Sequence, residues 1–578
     1  MVTIDYLFII LYFVLVIWLG FWYQKRASLS LESYFLGSKK MHWLVLAISG
    51  SVSTFDITGT MWIVSMLFLL GMKSLWIHWM WGWMMGAFCL AYMGKWVRRS
   101  NVLTGAEWMV TRFGEDKGGK IARTAYALMA VITLASFIGY AFQGIGKFVS
   151  VYIPFSPTVC ALGIMGITTL YVLVGGLYSV VVTDVIQTII LTVASLLIAG
   201  VAFFHLSSES LHNLLPRGWE SLTPSWRLPE LAGTENSQYE WFGALVMVWV
   251  IKGLLLNAGG PAQMYDFQRF LAARNDRDAA KIGASWSLFL VVRWGMVMAI
   301  VLLALSGIAN VHDPERVMPL VLQEYLPPGV RGIVIAGLLA AFMSTFSSTV
   351  NSGASYIVRD FWQPIFRPHA SQQALVKSGY MATLGIVLLG LLIGFQASSI
   401  HQIWSWMMMA LGAGVVMPNV LRWYWWRLNG WGYAAGTLAG ILFSLVALFF
   451  PNLPMYVVFP LIACTSLIAS IVISLMGSPV DRITLITFYS NVRPFGWWNP
   501  VKKEINSSGQ CFNRSFEGTG RAVLNVVLGM VAILGLYLTP MYLVGHWFLY
   551  AFICLGLALS SIGILYYTWY KPLIKQEE

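Results

Sequence analysis

Residues 44–71 read LVLAISGSVSTFDITGTMWIVSMLFLLG, an apolar run interrupted at its centre by Ser49, Ser51, Ser53, Thr54, Asp56 and Thr58, between Gly50 and Gly59. About 20 apolar residues at roughly 1.5 Å per residue cross a bilayer, so this run is long enough to span. A polar cluster in mid-span is tolerated only where freed backbone and side chains meet protein, water or an ion. A second interrupted run, VWVIKGLLLNAGGPAQ at 248–263, carries Gly253, Asn257, Gly259, Gly260 and Pro261. Broken helices at matching places in two halves are the mark of transporters built from inverted repeats. With five spans between their starts, spans 2–6 and 7–11 form two five-helix repeats, over about 43–205 and 239–424, and Asp56 and Lys252 each ride on the broken first helix of their repeat.

Working outward, the chain has 578 residues, 58% of them apolar and 10% charged, which is too few charges to clothe a soluble globule of this size. Spans are expected near 4–23, 43–71, 74–96, 122–149, 156–175, 178–205, 239–262, 280–309, 332–361, 375–397, 402–424, 430–450, 455–476, 521–543 and 545–568, about fifteen in all. The expected class is therefore an all-α polytopic membrane protein. Residues 1–476 form its core, 477–520 a cytoplasmic linker or lid without a clear period, and 521–578 a terminal pair of spans with a tail. The first apolar run lacks a basic leader and a small-residue cleavage site, so it reads as a retained helix.

The net charge of +12 resides in short loops, such as Lys25, Arg26, Lys39 and Lys40, then Arg98, Arg99, Arg112, Lys117 and Lys120. Alternate loops are acidic, with Glu209, Glu220, Glu230 and Glu235 in 206–238 and Asp313, Glu315 and Glu324 in 310–331. Basic loops stay inside, so the N-terminus is expected outside and the C-terminus in the cytoplasm, in a bacterial inner membrane or a plasma membrane. The same placement accounts for the basic charge without nucleic acid. The five cysteines stand apart with no ligand spacing, and no nucleophile and base pair or HExxH stands in any span, which excludes a disulfide scaffold, a zinc site and a membrane enzyme of familiar type. No organic cofactor and no obligate protein partner is indicated.

Span 9, AAFMSTFSSTVNSGASYIVRDFW at 340–362, holds eight hydroxyl and amide residues from Ser344 to Ser355. Single membrane hydroxyls usually bond back to their own helix, but this density suits a hard monovalent cation held by neutral oxygens and later released. Charges within spans are costly, by roughly 2.5–3.5 kcal/mol at mid-membrane, and are kept for a purpose. They are Asp56, Asp184, Lys252 and Arg293. Structural pairing, for instance of Asp56 with Lys252, is the plain alternative to a functional role.

Three motifs together resemble the sodium:solute symporter family. GGLYSVVVTDVIQTIIL at 175–191 is similar to its GG-L-x-x-V-x-x-TD-x-x-Q signature, AAFMSTFSSTVNS at 340–352 resembles its sodium-site helix, and QRFLAAR at 268–274 is similar to its cytosolic turn after span 7. The resemblance covers spans 1–13 and implies a LeuT-type core of two inverted five-helix repeats. It implies a sodium site made by two backbone carbonyls of span 2, at Val52 and Phe55, with the carbonyl of Ala341 and the hydroxyls of Ser344 and Thr345. An alignment shifted by two residues moves the first two to Thr54 and Ile57. It further implies that Asp184 lines the sodium exit route. No organic cofactor is implied, only sodium as the coupling ion. Positions that bind sugar in the glucose and galactose branch carry His78 in place of Glu, Ser405 in place of Gln and Val291 in place of Lys, so a standard hexose site is not expected.

Lys252, Arg293 and Asn257 are instead placed to meet a carboxylate, and Asp56, His78, Lys252, Asn257 and Ser405 form the expected solute set. The expected activity is sodium-coupled import of a small polar organic solute by alternating access. Two alternatives remain at this stage: a proton-coupled symporter of the same fold, and an uncoupled transporter-like sensor.

Overall fold

A computed structural model of the chain describes residues 1–27, 42–78, 83–100, 102, 105–234, 236–260, 266–308, 311–397, 399–450, 453–507 and 518–575. The basic residues expected at 28–41 lie outside the described residues, as do Trp79, Trp81 and Pro261. Among the described residues, eleven helices are long and apolar enough to cross a membrane, and four shorter apolar helices accompany them.

Span 2 is broken where its polar cluster lies. Helix α1 (Thr3–Ala27) precedes it, then α2 (Trp43–Thr54) ends and α3 (Ile57–Leu70) begins after two non-helical residues. Phe55 leaves the helix at ψ 54, and Asp56 restarts it as an N-cap whose carboxylate accepts the Gly59 N–H at 2.7 Å. An acidic N-cap offsets the exposed donors and positive dipole end of the new helix, so Asp56 both starts α3 and is retained in mid-span by it.

Helix α4 (Lys117–Val149) is followed by α5 (Pro157–His205). The spans expected separately at 156–175 and 178–205 thus lie on one continuous helix of 49 residues. The intervening LVGGLYSVVV has no proline to remove a backbone donor, and paired glycines weaken a helix without breaking it. The side chains of 174–182, most of the signature motif, lie outside the described residues.

The second repeat opens on α6 (Phe242–Ala258), which stops at Gly259 and Gly260. Gly260 has φ +129, a conformation that side chains with a Cβ avoid. The chain resumes as α7 (Asp266–Leu271), α8 (Asp276–Trp286) and α9 (Val291–Gly307). Helix α10 (Val330–Tyr356) continues as a π-helical segment through Trp362. Its best window is 94% buried, against 39% for α11 (Gln372–Gln396), which makes α10 the axis of the bundle and α11 a lipid-facing wall. Then come α12 (Ile400–Ser405), a π-helical stretch Trp406–Leu411, α13 (Gly412–Tyr424), α14 (Gly430–Ala447) and α15 (Met455–Met476).

The stretch expected as a linker holds α16 (Arg482–Val492) and the helix Asn499–Ser507. It is anchored by Trp498, fully buried, whose indole donates to the Trp423 carbonyl at 2.8 Å, and by Phe488 edge-on to Trp108. The terminal pair, α17 (Thr519–Val544) and α18 (Phe548–Leu565), packs through α17 on α9 and on the helix Trp83–Phe88. The window that includes α18 is only 22% buried.

Candidate ion and solute site

The break in span 2 faces α10. Thr345 donates from its hydroxyl to the Ser53 carbonyl at 2.7 Å and to the Ala341 carbonyl at 3.2 Å. This stitches the last turn of α2 to the hydroxyl-rich middle of α10. The Val52 carbonyl accepts the Phe55 N–H at 3.0 Å, and the Thr54 carbonyl accepts from Arg293 at 2.8 Å. Ser344, the neighbour of Thr345, donates to Asp184 Oδ1 at 2.5 Å, while Ser49 donates to Asp184 Oδ2. Of the residues expected to hold an ion, the structure therefore brings Thr345 against the end of α2, one residue from Val52, keeps the Ala341 carbonyl on the same Thr345 hydroxyl, and couples Ser344 to the aspartate of the expected exit route. These are neutral oxygens with one carboxylate behind them, a donor set suited to a monovalent cation held loosely.

Asp56 does not pair with Lys252, the partner suggested by mid-span charge counting. Its cation is Arg293, at 3.6 Å, which also donates to Thr60 Oγ1 at 3.1 Å and lies over the Phe55 ring. The pairing is geometric: α9 crosses at the level of the break, where Thr54 offers a carbonyl freed from the helix. Arg293 is thereby committed to the break itself. Beside Asp56 lies a small cavity, with room for roughly one water-sized occupant, lined by Asp56, Thr58, Tyr140, Thr345 and Thr349 among others.

Lys252 is fully buried, and its ammonium has no hydrogen-bond partner among the described residues. It lies 4.4 Å from the centre of the Trp249 ring, an arrangement that attracts a cation without neutralising it. Across from it is Gly412, where α13 begins after the π-helical stretch. Asn257 bonds back to the Gly253 carbonyl at 2.8 Å, the ordinary use of a polar residue in a membrane helix. His78 ends the short helix Leu75–His78, and its side chain lies outside the described residues. Ser405 is half-buried at the end of α12.

Two clusters escaped the sequence reading. Glu315, counted there only as one acid in an outer loop, accepts the backbone N–H groups of Ile400 (3.2 Å) and His401 (2.9 Å) and pairs with Lys147 at 2.5 Å. His401 in turn accepts from Trp62 Nε1 at 3.0 Å and lies within 3.1 Å of the Ser65 hydroxyl. This network ties α3 to α12 and α4. The second is Arg269, read only as part of a cytosolic turn. It is buried against Ser49 and Ser348. Neither cluster has a local signature, because its members come from segments far apart in sequence.

Comparison with known proteins identifies the family and the fold. The sodium:solute symporter family matches residues 34–440. The high-affinity proline transporter PutP of Bacillus subtilis is 24% identical over 446 residues, which is 73% of this chain and 87% of the relative. Sodium/myo-inositol cotransporter 2 of Mus musculus is 26% identical over 493 residues, 77% of this chain and 70% of the relative. A solved substrate-bound, outward-open structure of a sodium-coupled sialic acid symporter superposes with TM-score 0.67 at 17% identity, covering 83% of this chain and 99% of that one. The likeness bears out the all-α, LeuT-type fold class. Spanning helices, a broken second span facing the hydroxyl-rich α10 and the extent of the family match lead to one conclusion: the chain belongs to the sodium:solute symporter family, and is a multi-pass solute symporter of the plasma membrane, not an enzyme.

Proposed function

We propose that the protein imports a small polar organic solute, bearing an anionic group, together with sodium. The observation that carries the sodium half is the Thr345 hydroxyl on the Ser53 carbonyl at 2.7 Å, with Ser344 beside it, at the point where span 2 is unwound. Sodium here is held by carbonyls of the α2 end, at Val52 and Phe55 or their neighbours, by the Ala341 carbonyl and by the hydroxyls of Ser344 and Thr345. It joins α2 to α10, favours the outward-facing arrangement and prepares the solute site. Asp184 lies on its route to the cytoplasm, and the N-out, C-in orientation expected from the loop charges puts that route on the inner side.

The buried ammonium of Lys252 supports the anionic solute. Burying an unpaired charge is costly, and a carboxylate brought by the solute offsets that cost at the broken helix. Asp56, with the cavity beside it, and Ser405 are the further solute contacts proposed, together with His78 and Asn257. Proline and sialic acid, named for two of the relatives, carry a carboxylate, whereas the myo-inositol named for another is neutral, so the anionic class rests on Lys252 and not on the relatives. A membrane potential adds about 2.3 kcal/mol per 100 mV for each net positive charge moved inward, roughly fiftyfold in accumulation for each sodium beyond those that balance the solute's own negative charge.

The test is uptake into proteoliposomes across amino acids, sugar acids, short carboxylates and neutral polyols, with and without an inward sodium gradient. Sodium-driven accumulation of an acid, exceeding that of its neutral analogue, is expected. Uptake that follows a proton gradient and ignores sodium refutes the sodium assignment.

A further inference from the structure

Two buried aspartates flank the break in span 2, and each has its own arginine. Asp56, on the outer side, is served by Arg293 from α9. Asp184, on α5, is fully buried with each carboxylate oxygen accepting one hydroxyl, from Ser344 and from Ser49, and the cation whose field reaches it is Arg269. Arg269 belongs to α7, the short helix after the second broken span, and its guanidinium lies 6.0 Å from the Trp286 ring centre. It donates to Ser49 Oγ at 3.3 Å, to the Ser49 carbonyl at 3.4 Å and to Ser348 Oγ at 2.9 Å. It therefore joins α2 to α10, the same two helices that the proposed sodium joins, and it shares Ser49 with Asp184.

We propose that Arg269 is a tethered counter-ion that competes with sodium for Asp184 and so drives sodium release into the cytoplasm; this rests on the sodium reading above. An ion leaving Ser344 and Thr345 by way of Asp184 arrives where the Ser49 and Ser348 oxygens are already taken by the guanidinium. Two cations drawn to Asp184 and the same two hydroxyls repel one another in a low-dielectric setting where screening is weak, while the buried Asp266 on α7, whose charge also acts on Arg269, keeps the guanidinium near when sodium is present. When sodium departs, Arg269 compensates Asp184 and holds α2 against α10 in place of the ion. Sodium at this site then has to displace a cation already in position, which weakens its binding and speeds its release, while the sodium gradient sets the direction of the cycle.

The test uses equilibrium binding and washout of radioactive sodium on the purified full-length protein, comparing wild type, Arg269→Gln and Arg269→Lys. Glutamine keeps amide donors toward the serines without charge, and lysine keeps the charge without the planar fork. R269Q is expected to bind sodium about tenfold tighter and to release it correspondingly more slowly, with R269K within about twofold of wild type. Sodium affinity unchanged in R269Q, or shifted equally in both variants, overturns the proposal and leaves Arg269 a packing residue. Absence of saturable sodium binding in the wild type refutes the sodium reading itself. Melting temperatures of the three proteins separate these results from misfolding.

Discussion

Exchange of Thr345 for valine removes one hydroxyl at almost constant volume, at the point where α10 meets the broken span. Thr345 is buried, and its Oγ1 serves both the Ser53 carbonyl at 2.7 Å and the Ala341 carbonyl at 3.2 Å. The Ala341 carbonyl sits within its own helix, so the main loss falls on Ser53, whose carbonyl lies in the last turn before the break. A buried acceptor left unpaired costs about 1–3 kcal/mol, and a lost ion ligand is of similar size. Taking about 2 kcal/mol for the ligand alone, the half-saturating sodium concentration rises roughly thirtyfold. Thr345→Ser retains the hydroxyl and is expected to stay within about threefold of wild type, since it loses only a methyl group. The assay is a sodium titration of solute uptake in proteoliposomes at fixed solute, with melting temperature as the control for folding. The reasoning is refuted if T345V and Ser344→Ala both fold normally and activate at the wild-type sodium concentration.

Three further outcomes are expected. Lys252→Met lowers uptake of carboxylate-bearing solutes by at least about tenfold while sparing neutral ones, since only the former use the buried ammonium; equal loss for both classes removes Lys252 from solute recognition. Glu315→Ala takes from Lys147 one of its two carboxylates, Asp313 remaining at 3.0 Å, and leaves two amide groups at the start of α12 without their acceptor. By favouring the outward-open arrangement, it speeds labelling of a cysteine placed at the cavity-lining Thr58 by a membrane-impermeant thiol reagent, by about tenfold or more. Unaltered labelling, in a background without the native cysteines, counts against an outer latch. Gly440→Val drives a side chain into the backbone of Gly414, where α13 and α14 touch directly, and a destabilisation of about 1–3 kcal/mol is expected as a lower melting temperature.

How far the fold was legible depended on whether its cause was local. The break in span 2 was readable because Asp56 caps the helix that follows it, an interaction confined to four residues. The stop of span 7 was readable because Gly260 needs a positive φ. The hydroxyl stripe of α10 announced a polar centre because lipid leaves no other use for so many oxygens in one helix. Where local signals were weak or ambiguous the reading diverged from the structure. Residues 157–205 run as one helix because nothing between the expected spans forbids it. Residues 482–507, aperiodic when viewed alone, fold because Trp498 and Phe488 find partners on α13 and at Trp108.

The sequence by itself determined the membrane setting, the two interrupted spans and the oxygen-rich helix, since each follows from composition or from short-range chemistry, and it pointed to the family through the resemblance of three motifs. Only the tertiary structure decided who pairs with whom. Arg293 takes Asp56, Arg269 shares Ser49 with Asp184, and Lys252 has, among the described residues, an aromatic face and no hydrogen-bond partner. Charges in mid-membrane must be compensated, but several cations along the chain satisfy that demand equally on paper. The choice is made by which helices cross at the same depth, a property of packing between segments that lie tens to hundreds of residues apart.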